Sequence, residues 1–101
     1  MGMVEQVESA ITKRKELLEK IQKLVAKSKE EKVIIRFRAP SFILVITPDG
    51  VSFSSGLLKG LLFRRVSISF ISKLPYPSHY LWKILETLEG DETIKPEIFS
   101  V

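Results

Sequence analysis

Residues 33–55 read Val33-Ile34-Ile35-Arg36-Phe37-Arg38-Ala39-Pro40-Ser41-Phe42-Ile43-Leu44-Val45-Ile46-Thr47-Pro48-Asp49-Gly50-Val51-Ser52-Phe53-Ser54-Ser55. β-Branched and aromatic runs divided by Pro and Gly are the mark of strands and turns. The first run, residues 33–39, alternates: Val33, Ile35 and Phe37 share one face, and Ile34, Arg36 and Arg38 share the other. The second, residues 42–47, is almost wholly apolar. Pro48-Asp49-Gly50 then supplies a tight turn into residues 51–55, so the last two runs predict a hairpin.

Beyond the hairpin, residues 56–63 fit neither a helical nor a strand period. Residues 65–73 alternate again, with Val66, Ile68 and Phe70 opposite Arg65, Ser67, Ser69, Ile71 and Lys73, which predicts a fourth strand. Leu74-Pro75-Tyr76-Pro77 ends it. Ser78 is read as the N-cap of a short helix over residues 79–89, stopped by Gly90. Leu81, Ile84, Leu85 and Leu88 form its core stripe, with Trp82 on the flank and partly exposed. The last residues, ending in Ile98 and Phe99, read as a tail that docks on its own or another chain.

On the other side, residues 3–31 contain no Gly or Pro and predict one helix. Val4, Ile11, Leu18 and Val25 fall at heptad position a, and Val7, Arg14, Ile21 and Ser28 at d. About 29 residues at about 1.5 Å each give a rod of roughly 43 Å. The other seventy residues would form a globule with a radius of gyration of about 11 Å, too small to cover the rod. Val4, Val7, Ile11, Leu18, Ile21 and Val25 are therefore expected to bury against another copy, as a homodimer or homotetramer. The alternative is a helix lying across the sheet of its own chain. The prediction is an α+β fold: a long coiled-coil-type helical segment (1–32), then a unit (33–101) with a four-stranded antiparallel sheet and a short C-terminal helix.

The 101 residues set one domain. With no Cys and one His, disulfides, thiolate metal sites and a cysteine nucleophile are ruled out, and a metal centre or cofactor is not expected. The absence of Asn and the richness in Lys, Glu and Ile match the bias of hyperthermophile proteins. No apolar run approaches the roughly 20 residues of a membrane helix and no signal-peptide h-region is visible, so a cytosolic protein without membrane contact is expected.

The net charge of +4 is polarised. Residues 33–83 carry Arg36, Arg38, Lys59, Arg64, Arg65, Lys73 and Lys83 against Asp49 alone, whereas residues 84–101 carry a net −4. A basic segment of this kind is the footprint of a polyanion binder. Phosphate neutralisation falls to Arg36, Arg38, Lys59, Arg64, Arg65 and Lys73, and base stacking to Phe63, Tyr76, Tyr80 and Trp82, the aromatics outside the alternating core pattern. If the strands pair in order, one sheet face gathers Arg36, Arg38, Ser52, Ser54, Arg65, Ser67, Ser69 and Lys73. Catalysis is not expected: His79 is the lone imidazole, the carboxylates sit away from it, and Gly56-Leu57-Leu58-Lys59-Gly60 lacks the spacing of a phosphate loop.

A long coiled-coil-forming helix followed by a small sheet with basic and aromatic residues, in a Cys-free chain rich in Lys, Glu and Ile, resembles the ThermoDBP-related single-stranded-DNA-binding proteins of thermophilic archaea. The resemblance implies assembly through the helices and single-stranded nucleic acid held, without strong sequence preference, in clefts shared by subunits. No motif of that family maps onto these residues one by one. Together these features predict a homo-oligomeric, sequence-tolerant binder of single-stranded nucleic acid, DNA ahead of RNA. The alternative is a protein-assembly module whose basic face is merely solvated.

Overall fold

The computed structural model describes residues 3–56 and 62–101, with side chains of the first helix from Ser9 onward. The chain is α+β, as expected, but its antiparallel sheet has five strands rather than four. Helix α1 (Met3–Glu31) leads into β1 (Val33–Arg38), β2 (Phe42–Thr47) and β3 (Gly50–Ser55). Then follow β4 (Arg64–Val66), a single-turn α2 (Ile68–Ile71), α3 (Tyr80–Gly90) and β5 (Pro96–Ser100). The strand order is β4-β3-β2-β1-β5.

Each turn has its local cause. After α1, Lys32 takes a left-handed φ of 54°, which ends the helix and swings the chain onto the sheet. In the Pro48-Asp49 turn, Thr47 Oγ1 donates to the Gly50 carbonyl at 3.2 Å. Gly50 itself, at φ 147°, comes so close to β4 that a Cβ would sit 2.7 Å from the Val66 carbonyl oxygen. Only glycine fits there.

The register confirms the alternation of β1. Ile35 opposes Ile46, and Phe37 opposes Leu44, which in turn opposes Phe53. These side chains face the helices and join Phe42, Val51, Leu81, Trp82, Ile84 and Leu85 in one core. Among the described residues no helix packs on the opposite face. One cross-strand row on it runs Glu97–Arg36–Val45–Ser52–Arg65.

Two sequence expectations are corrected here. Residues 65–73 are not one strand: β4 stops at Val66 because the Ser67 hydroxyl accepts from Phe70 N and caps α2. Ile71 turns into the core, Phe70 is left exposed, and Ser67, Ser69 and Lys73 leave the sheet face. The cap of α3 is His79, not Ser78, since its Nδ1 accepts from Leu81 N at 3.1 Å.

The helix expectation is corrected in part. Leu17, Ile21, Val25 and Ser28 are buried against the chain's own sheet, with Leu18 and Leu24 packed beside them. Ile21 and Val25 are therefore core residues and are unavailable to another copy. Ile11 stays 62% exposed, while the side chains of Val4 and Val7 lie outside the described residues. Arg14 and Ser28, which broke the heptad, have internal partners: Arg14 donates to the Ser72 carbonyl and Ser28 to that of Val33.

Candidate functional site

The N-terminus of α3, the end of β3 and strand β4 enclose an open cleft of about 260 Å³. Phe53, Ser54, Ser55, Leu62, Arg64, His79 and Tyr80 line it. Phe53 forms the floor, and the His79 ring meets it edge-on at 6.5 Å. The bond from Leu81 N fixes that imidazole as a cap, so His79 shapes the wall. Tyr80 begins the helix and stays 42% exposed.

Arg64 reaches the cleft because it opposes Phe53 in the β3–β4 ladder and shares its face, whereas Arg65 opposes Ser52 on the open face. The β4 edge thus carries one guanidinium on each side of the sheet. No acidic residue stands in the first turn of α3, so the positive end of the helix dipole adds to Arg64. Among the described residues, the ion pairs are Lys13–Glu89 and Arg36–Glu97; Arg38, Arg64, Arg65 and Lys73 belong to neither.

The structure divides the sequence-predicted residues. Arg64 and Tyr80 meet in the cleft, and Phe63 lies exposed beside Leu62 and Arg64. Arg38 and Arg65 lie on the open sheet face, and Lys73 follows α2. Lys59 falls outside the described residues. Arg36 is already occupied: its Nε and Nη2 donate to the Glu97 carboxylate at 3.2 and 3.0 Å, and its guanidinium lies 4.7 Å from the Phe99 ring centre. The Glu97 carboxyl is held below its usual range by that hydrogen bond.

Two aromatics assigned to stacking are corrected. Trp82 is completely buried, with Arg14 5.5 Å from its ring centre and Tyr76 edge-on at 5.3 Å. Helix α3 is covered by both α1 and the sheet, so its apolar arc widens to about 160° at 100° per residue and takes in Trp82. Tyr76 is half-buried, and its hydroxyl donates to Glu86 at 2.9 Å. Trp82 presents no ring face to a base, and the Tyr76 ring and hydroxyl are tied to Trp82 and Glu86.

Burial, then the Glu86 hydrogen bond, pushes the Tyr76 phenol up to about 12. The neutral phenol is thus favoured in the fold. Its stabilisation is intact below the ordinary tyrosine value near 10 and is lost as pH rises toward 12. Replacing the other tyrosine (Tyr80→Phe) leaves a single phenol, and ultraviolet titration of that variant is expected to give a midpoint near 12. A midpoint near 10 would mean Tyr76 is solvated.

The sequence reading missed Phe53, Ser55, Leu62 and His79 as cleft walls. They come together only through the β3–β4 pairing and the packing of α3. Among the described residues no cluster of His, Asp and Glu is arranged to hold a metal ion, and no helix is long and apolar enough to cross a membrane. No family model, curated protein or solved structure matches the chain.

Proposed function

We propose that this protein binds single-stranded nucleic acid, DNA ahead of RNA, with little sequence preference. The observation that carries the reading is Arg64, free of any ion pair among the described residues, in one cleft with the exposed ring of Tyr80 at the acid-free start of α3. Single-strand binders combine phosphate-neutralising cations with aromatic faces on which any base stacks. Here Arg64 and Arg65 neutralise phosphate on either side of the β4 edge, with Arg38 and Lys73 extending the track. Tyr80 and Phe63 supply the stacking surfaces. An open cleft of about 260 Å³ takes a base or a phosphate, below the roughly 300–1,000 Å³ of small-molecule pockets.

Anisotropy of labelled oligo-dT against a duplex of equal length tests the reading. Tighter binding to dT is expected, because duplex bases present no free face to Tyr80. Equal or stronger duplex binding would leave only phosphate attraction.

The assembly-module reading draws on a different place, the groove lined by Ala10, Ile11, Arg14, Leu74, Pro75 and Tyr76. Ile11→Glu separates the two, since it is expected to leave dT affinity unchanged.

A further inference from the structure

The two edges of the sheet are unlike. Strand β4 is three residues long and carries Arg64 and Arg65, the charged, short form by which sheets protect an edge. Strand β5 is five residues long, and its one charged side chain, Glu97, is neutralised by Arg36 within the same sheet. Ile98 is 52% exposed and Phe99 42%.

The hydrogen-bond phase of β5 follows from two bonds outside its ladder. Val101 N donates to the Lys32 carbonyl at 3.1 Å, and on the other side of β1, Ala39 N donates to the Phe42 carbonyl at 2.9 Å. In an antiparallel sheet the bonded pairs alternate along each strand. Carried through the register, both bonds make Ile34 and Arg36 the residues of β1 that bond to Phe99 and Glu97. The backbone N–H and C=O groups of Ile98 and Ser100 therefore point away from the sheet, as does the carbonyl of Pro96, whose nitrogen has no hydrogen to donate.

We infer that β5 is the docking edge for a second copy of this chain, pairing antiparallel with its own counterpart about a two-fold axis at Phe99. In that register Ile98 opposes Ser100 of the partner subunit. Each exchanges both backbone bonds, giving four interchain hydrogen bonds between these residues. The two Phe99 residues form the non-bonded pair at the axis, where Cα atoms approach to about 4.5 Å. The two Ile98 side chains lie diagonally across the helix-covered face. An antiparallel edge of this phase is its own complement, and the neutralised Glu97 brings no uncompensated charge to it. This argues for a second copy over a strand of another protein. The result is one continuous ten-stranded sheet, and the inference stands independently of the nucleic-acid reading.

A five-residue pairing falls among small interfaces, below about 1,200 Å², so a reversible dimer of micromolar affinity is expected. Sedimentation velocity of the full chain from low micromolar to millimolar concentration tests this. Ser100→Pro removes only an outward N–H and spares the β1 ladder, so it is expected to keep the circular dichroism spectrum and weaken the dimer by about tenfold or more. Phe99→Glu, which sets two carboxylates face to face, is expected to do the same by repulsion, and Ile11→Glu to leave the dimer intact. A monomer at every concentration, a dimer unaffected by both β5 variants, or one lost with Ile11→Glu alone would overturn the inference.

Discussion

Trp82→Ala is expected to cost about 3–5 kcal/mol, a large share of the roughly 5–15 kcal/mol that holds a domain of this size together. The ring sits between α1 and α3 with no solvent access, touched by Arg14 above and Tyr76 at its edge. Arg14 also donates to the Ser72 carbonyl, so the same side chain ties α1 to the end of α2. Removing the indole opens a cavity between α1 and α3. The melting temperature is expected to fall by well over 10 °C, at about 4–8 °C per kcal/mol for a chain of this length.

Trp82→Phe is the informative companion. Among the described residues the buried indole Nε1 finds no acceptor, so the aromatic volume stabilises the fold and the N–H does not. Phe is expected to recover most of the loss. Urea melts of the three proteins check this, together with wild-type fluorescence, which is expected to be blue-shifted and unchanged by oligo-dT. A loss below about 1 kcal/mol in the Ala variant, or quenching of Trp82 by dT, would show that the ring is at the surface.

The second large effect falls on binding and leaves stability alone. Tyr80→Ala is expected to weaken dT binding by about 1–3 kcal/mol, roughly 5- to 150-fold, which is the scale of one lost base stack. Arg64→Ala is expected to flatten the log–log salt dependence by about 0.7, one phosphate contact on a single strand. Because both side chains line one cleft, the double variant is expected to depart from additivity. Each is exposed, and the unfolding free energy should hold to within about 0.5 kcal/mol of wild type. Unchanged affinity in the double variant would remove the cleft from the site.

Long uninterrupted patterns made half of this fold legible. Helix α1, strands β1 to β3 and the Pro48-Asp49 turn lie where periodicity puts them, because each spans at least one full repeat bounded by a turn residue. Residues 65–73 misled because short apolar–polar alternation does not separate a strand from one helical turn; the Ser67 cap decides it. Strand β5 depends on β1, some sixty residues earlier in the chain, and no local pattern reveals that pairing. The heptad was real, but a helix on a sheet and a helix in a coiled coil show the same three-and-four spacing. The stripe Leu17, Ile21, Leu24, Val25 and Ser28 chose the chain's own core.

The candidate site was legible in charge and less so in aromatics. Among the described residues Arg64, Arg65 and Arg38 stand clear of ion pairs, but Arg36 is paired with Glu97, an acid in the oppositely charged tail that meets it only once β5 docks on β1. Trp82 was misread because a helix covered on two sides buries its flank as well as its stripe, and Tyr76, in the turn before α3, because its ring meets Trp82 edge-on and its hydroxyl pairs with Glu86.

A salt series of labelled oligo-dT binding to the wild-type protein asks whether the Arg64 guanidinium and the exposed Tyr80 ring form a single-strand site. Binding is expected to weaken steadily with salt, with a log–log slope near −2 to −3 if three or four of Arg38, Arg64, Arg65 and Lys73 touch phosphate. Absence of binding at low salt would contradict it.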